Sequence, residues 1–128
     1  MAHKIIGGQL KLADGRCLPL SKAVRAGDFV MLSGQLGLDA GGRLVGEDIE
    51  TQTAQCLANI REILRDAGCT LDQVVKSTVW LVNREDFAPF NAIYASHFPS
   101  QPPVRSTVVC GLVLPGALVE IEVIAYAP

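Results

Sequence analysis

Charge is scarce in this chain. Only 19% of its 128 residues are charged, while 49% are hydrophobic and the mean hydropathy is +0.31; an ordinary soluble domain carries about 25% charged residues. Eleven basic residues face thirteen acidic ones, for a net charge of −2. They are scattered, without a Lys/Arg cluster or interleaved aromatics, which argues against a nucleic-acid partner. Long apolar runs are missing too. Nothing approaches the roughly 18 residues of a membrane span, so no membrane association is expected. The start, Met1-Ala2-His3-Lys4-Ile5-Ile6, lacks the apolar stretch of a secretory signal, and a cytoplasmic location is the expectation. The four cysteines, Cys17, Cys56, Cys69 and Cys110, show no CxxC spacing and have only His3 and His97 to help them. No metal site is expected, and reduced core cysteines are. No repeat, low-complexity tract or linker divides the chain. Residues 1–128 therefore read as one domain, long enough to bury roughly two thirds of its unfolded surface. Apolar surface left over from so small an interior calls for contact between subunits.

Two windows carry helical spacing. In the first, Ile49, Thr53, Cys56, Leu57, Ile60, Ile63, Leu64 and Ala67 share a face, with Glu50, Gln52, Arg61, Glu62 and Arg65 largely off it. Asp48 suits an N-cap and Gly68 the position after the last turn. The second runs from about Asp86 to His97 with Phe87, Phe90, Tyr94 and Phe98 on one side; Pro89 falls in its first turn and Pro99 ends it. Strands are expected over Phe29–Ser33, over Val74–Val82 as the longest, over Ser106–Cys110 and over Leu118–Tyr126. A weaker hairpin covers residues 4–12 and 17–25. Thr70-Leu71-Asp72-Gln73 has capping-box character before the Val74 strand. The order is β-β-β-α-β-α-β-β, an α+β two-layer sandwich with one sheet face left uncovered by the chain's own helices.

The segment Pro102-Pro103-Val104-Arg105-Ser106-Thr107 sets one arginine behind a rigid, extended double proline and at the mouth of an apolar strand. No acid lies within ten residues on either side. A guanidinium near a core is costly without an anionic partner, so Arg105 either snorkels to solvent, pairs with a distant Glu, or clamps a carboxylate in a bidentate fork. In Val119-Glu120-Ile121-Glu122-Val123 both acids point to one side of a strand. That pattern fits a solvated face as readily as a site. Trp80 reads as a core residue, and Lys22, Arg25, Lys76 and Arg84 as single surface charges.

Taken together, several segments resemble the RidA family (also called YjgF or L-PSP) of reactive-intermediate deaminases. They are Ser21-Lys22-Ala23-Val24, Val30-Met31-Leu32-Ser33-Gly34-Gln35, Asp48-Ile49-Glu50-Thr51-Gln52-Thr53, Asp86-Phe87 with Asn91-Ala92-Ile93-Tyr94, Pro102-Pro103-Val104-Arg105-Ser106, and Leu118 to Ala125. The resemblance implies a chorismate-mutase-like fold and a homotrimer with ligand clefts between subunits. It also implies cofactor-free hydrolysis of 2-imino and 2-enamino acids to 2-oxo acids and ammonia. By the same resemblance Arg105 clamps the substrate carboxylate and Glu120 orients the attacking water. Ser33, Gly34 and Asn91 line the cleft, and the Thr107 backbone meets the substrate.

One position departs from the family pattern. Its members read Gly-Pro-Tyr-Ser where this chain has Leu18-Pro19-Leu20-Ser21, so Leu20 stands in place of a tyrosine hydroxyl. A more apolar wall favours bulkier imines, and an aminomuconate-type substrate is an alternative. A binding protein that holds a carboxylate or keto acid without turnover is the competing class. A ribonuclease fits worst, for want of a basic patch or a pair of histidines.

Overall fold

Local signals and periodicity resolve into six strands and two helices in the computed structural model, which describes residues 3–128. The strands are β1 (Lys4–Lys11), β2 (Cys17–Ala26), β3 (Phe29–Leu32), β4 (Val74–Leu81), β5 (Val104–Val109) and β6 (Val119–Tyr126); the helices are α1 (Ile49–Asp66) and α2 (Phe87–His97). Short 3₁₀ turns at Leu71–Gln73 and Arg84–Asp86 precede β4 and α2. The element order is the expected one, and the chain is an α+β protein.

The α1 boundaries follow from two local devices. The Asp48 carboxylate accepts the Thr51 N–H at 2.8 Å, satisfying a donor that the helix leaves open. At the other end Gly68 adopts φ +78°. Its N–H donates to the Arg65 carbonyl and the Cys69 N–H to that of Leu64, the paired bonds of a Schellman stop.

All strands join one sheet in the order β1-β2-β3-β6-β4-β5. Neighbours are antiparallel except β4 and β5, whose parallel pairing requires the crossover that α2 supplies. The pleat sorts the residues. Val119, Ile121, Val123 and Ala125 of β6 are buried, with Val79 and Leu81 of β4 and Val30 and Leu32 of β3, against Leu57, Ile60 and Leu64 of α1 and Phe90 of α2. Each fully buried side chain of this size contributes about 1.5–3 kcal/mol. The opposite sheet face carries no helix. There Ile5, Phe29, Met31, Val104, Val108 and Tyr126 are exposed, and the Phe29 and Tyr126 rings lie 5.3 Å apart.

Several expectations need correction. The longest strand is β2, with ten residues against eight for β4, because β1 pairs with it from Cys17 to Arg25 and β3 from Ala23 to Ala26. Cys56 and Cys69 are buried, but Cys17 and Cys110 are exposed; the first opens β2 and the second follows the last residue of β5. Trp80 is only partly buried, and its cross-strand partner is Glu120. It lies on the helix-free face. Gln52, assigned to the polar side of α1, is fully buried. Its amide nitrogen donates to the Gly46 and Gly116 carbonyls, each at 3.0 Å, and its oxygen accepts the Leu118 N–H at 2.8 Å. One side chain thereby ties two loops to the helix at the point where β6 begins.

Gln52→Leu preserves the volume and strands those three backbone groups. A hydrogen bond contributes about 0.5–1.5 kcal/mol net, so the loss of all three should cost about 2–4 kcal/mol in urea unfolding. A midpoint shift worth less than half a kilocalorie would show that the loops do not depend on this amide.

Candidate active site

Arg105 leaves β5 on the helix side of the sheet. It is paired in register with Ser77 of β4, whose own partner on β6 is the buried Val123. Its guanidinium carbon stands 4.8 Å from the ring centre of Tyr94, 5.4 Å from Phe90 and 5.8 Å from Phe87. All three are cation–π distances. Among the described residues no carboxylate pairs with it; the ion pair found there is Arg16 with Asp14. Tyr94 is buried and shares a 2.6 Å hydrogen bond with the Ser77 hydroxyl. Burial raises the phenol's pKa, opposed by that hydrogen bond and by Arg105. Asn91 follows Phe87 by one helical turn and precedes Tyr94 by another, so it belongs to the same stripe of α2. Thr107, two residues beyond Arg105 on the same face of β5, has a buried hydroxyl oxygen without a hydrogen-bond partner.

Glu120 belongs to a second group. It alternates out of β6 onto the helix-free face, in register with Trp80. Its carboxylate lies against Gly34, just past β3. A Cβ on Gly34 would collide with Glu120 Oε2 and stand 2.9 Å from its Cδ. Glycine is what lets the acid occupy this place. Ser33 is held by its hydroxyl, which donates to the Ser21 carbonyl at 2.7 Å, and by its N–H on the Lys22 carbonyl at 2.9 Å. Gln35 exchanges backbone hydrogen bonds with Ile121 at 2.7 and 3.0 Å, which pins the Gly34 turn beside Glu120. Leu20 is exposed on β2 next to Ser21. Desolvation, and secondarily the like charge of Glu122, raise the Glu120 pKa above the ordinary carboxylate value.

The predicted site residues thus fall into two clusters. Arg105, Asn91 and Thr107 gather at the β5 edge with α2, and Glu120, Gly34, Ser33 and Leu20 on the side of β2, β3 and β6. Glu120 does not stand on a strand that pairs with that of Arg105. β4 lies between β5 and β6, and the two side chains leave opposite faces of the sheet. Sequence reasoning also missed Ser77 and the contact of Phe87, Phe90 and Tyr94 with Arg105. The spacing of those aromatics gave them a common face without saying what lies on it.

A mixed six-stranded sheet backed on one side by two helices, with a caged arginine at one edge and an acid on the bare face, defines a class of small α+β proteins. Residues 15–127 match the family model described as Endoribonuclease L-PSP, and the chain belongs to that family, known also as RidA or YjgF. It is 42% identical over 108 residues to the 2-iminobutanoate/2-iminopropanoate deaminase of Bos taurus, covering 84% of this chain and 79% of that one. The crystal structure of RidA from the Antarctic bacterium Psychrobacter sp. superposes with a TM-score of 0.83 at 35% identity, over 95% of this chain and 97% of the other. That of E. coli TdcF with bound serine gives 0.86 at 29% identity, over 98% of this chain and 99% of the other. No helix of the described residues is long and apolar enough to cross a membrane.

The elevated Glu120 pKa makes a signed prediction. A carboxylate that holds its proton more tightly folded than unfolded destabilises the fold increasingly as pH rises from the ordinary carboxylate range through its folded pKa. The cost is complete above that. Glu120→Gln should therefore gain stability relative to the parent over the interval that begins near the ordinary carboxylate pKa of about 4 and runs upward in pH, read as the difference in urea midpoints. A difference that shrinks over that interval would contradict the raised pKa.

Proposed function

We propose that this protein hydrolyses 2-imino and 2-enamino acids to 2-oxo acids and ammonia in clefts between the subunits of a homotrimer. The observation that carries the proposal is the Arg105 guanidinium, seated on three aromatic rings with no carboxylate of its own among the described residues. A planar anion with two oxygens meets its fork. The name of the Bos taurus relative supports an imine substrate, and the serine bound to E. coli TdcF supports a small ligand bearing a carboxylate.

Protonation of an enamine at C3, or of an imine at nitrogen, gives the iminium. With the substrate carboxylate on Arg105, Glu120 takes a proton from water as its oxygen bonds to C2, and the C=N π pair moves to nitrogen to give the neutral carbinolamine. The proton held by Glu120 then passes to that nitrogen. The C–N bond breaks with its pair leaving on ammonia, and the hydroxyl gives its proton back to the Glu120 carboxylate as the 2-oxo carbonyl forms. The iminium carbon is already electrophilic, so positioning does most of the work, and a carboxylate base contributes about 10²–10⁴-fold. A base whose pKa is raised toward the working pH suits that task. Leu20 supplies an apolar wall and inclines the cleft toward substrates with larger apolar side chains. The scattered cations and net charge of −2 favour a small molecule over RNA.

Because Arg105 and Glu120 leave opposite faces of one sheet, a cleft that uses both takes them from different copies. The exposed apolar residues of the helix-free face provide the contact surface, and a ring of three closes it.

Arg105→Lys keeps the charge and loses the fork. Ammonia release from imines made in situ by an amino-acid oxidase should fall by about 10²-fold or more, with melting unchanged. Parental activity in this variant would remove the clamp. Glu120→Gln should abolish turnover yet still bind pyruvate, whereas a binding protein without turnover would release no ammonia even as the parent.

Subunit mixing tests the composite cleft. Arg105→Lys and Glu120→Gln proteins, each inactive, should regain about a quarter of parental activity when unfolded together and reassembled as random trimers. No recovery, in a mixture shown to be trimeric by light scattering, would place both residues in one chain's site.

A further inference from the structure

We propose that Tyr94, locked by Ser77, is a positioning residue that fixes the orientation of the Arg105 fork and so sets the affinity for the substrate carboxylate. This inference rests on the reading of Arg105 as the carboxylate clamp. An arginine usually owes its orientation to hydrogen bonds with an anion or with carbonyls. Arg105 has none with the described residues, and its restraint comes from ring faces. Tyr94 is the nearest of the three, at 4.8 Å.

What distinguishes Tyr94 from Phe90 and Phe87 is that its ring is anchored at both ends. The Cα belongs to α2, and the hydroxyl reaches across to β4, where it meets the Ser77 Oγ at 2.6 Å. Ser77 is 1% exposed and Tyr94 5%, so neither partner has water as a substitute. Ser77 is also the residue paired with Arg105 across the parallel β4–β5 ladder, and its side chain leaves the sheet on the same face about 4.8 Å away. The serine that fixes the ring therefore stands beside the arginine that rests on it. Phe90 at 5.5 Å and Phe98 at 4.7 Å between ring centres brace Tyr94 along the helix. Burial raises the phenol's pKa, consistent with a neutral hydroxyl that keeps this bond. Swinging the ring away about its Cα–Cβ bond requires breaking a buried hydrogen bond, and while that bond holds, the ring stays under the guanidinium.

A purely structural Ser77–Tyr94 bond and a positioning one give different results. Tyr94→Phe and Ser77→Ala each leave one buried hydroxyl orphaned and should lower the melting temperature. The double variant removes both hydroxyls, leaves no orphan and should melt closer to the parent than either single variant. If the pair positions Arg105, the affinity defect persists in the double variant. The dissociation constant for pyruvate, by calorimetry, and the KM for an in situ imine should both stay raised about three- to tenfold, the range of a weakened cation–π restraint. Over the same variants kcat should stay within about twofold. Affinity that returns to the parental value together with the melting temperature would reduce the pair to a structural bond and overturn the proposal. Arg105→Lys is measured alongside. If it binds pyruvate as the parent does, or the parent binds none, the clamp reading fails and takes this inference with it. If Arg105→Lys loses pyruvate while the double variant retains it, only the role of Tyr94 and Ser77 fails.

Discussion

A strand can send its side chains only two ways, and in this protein β6 uses both. Its odd-numbered residues, Val119 to Ala125, close the core beneath α1, and its even-numbered ones, Glu120 and Glu122 among them, stand on the face that no helix covers. A slip of one residue would exchange the two sets and bury two carboxylates. The register that packs the core is thus the register that presents Glu120 at Gly34. The same rule acting on β5 sends Arg105 and Thr107 toward the helices. Packing and chemistry are not independent choices here, because one pleat makes both.

Arg105 shows how a fold can keep a cation near its interior without neutralising it. Desolvating a guanidinium with no partner is costly, while each aromatic face returns about 0.5–2 kcal/mol. Three faces offset part of that cost and leave the N–H donors of the fork unused by the described residues. A carboxylate from the chain would have stabilised the arginine further and blocked it. The fold instead places all thirteen acids elsewhere in sequence than the ten residues on either side of Arg105, and none of them pairs with it among the described residues.

The parts of this arrangement legible in the sequence are those with local causes. Asp48 and Gly68 bound α1 through bonds made within a few residues, and the aromatics of α2 share a face because 3.6-residue spacing requires it. The isolation of Arg105 is visible by counting acids along the chain. What escaped depends on partners remote in sequence. Gln52 looks like a surface residue until the loops at Gly46 and Gly116 are folded over it. The aromatic seat of Arg105 appears only when α2 crosses between β4 and β5. The exposure of Cys17 and Cys110 is recorded by no local pattern. The opposition of Arg105 and Glu120 is a matter of register. Across β4, Arg105 lines up with the buried Val123 and Glu120 with Val108, and the register between strands is carried by no single segment.

The second cluster depends on α1 as much as the first depends on α2. Gln52, Cys56 and Asn59 recur at helical spacing along one stripe, and all three hold backbone carbonyls. Cys56 Sγ donates to Gln35 O at 3.1 Å, and Asn59 donates to Leu36 O at 3.1 Å and Leu38 O at 2.8 Å. Burial pushes the Cys56 thiol far above its ordinary pKa, so it serves as a neutral donor and not as a nucleophile. The segment after β3 is tied to the sheet by the bridge of Gln35 to Ile121 and to itself by that of Leu38 to Leu44, and its backbone is also held at three points from beneath. Gly34 sits at the fixed end of that segment. Each helix therefore uses polar groups on an otherwise apolar face to steady one half of the candidate site, α1 on the side of the acid and α2 on that of the arginine, and the sheet keeps the two halves apart.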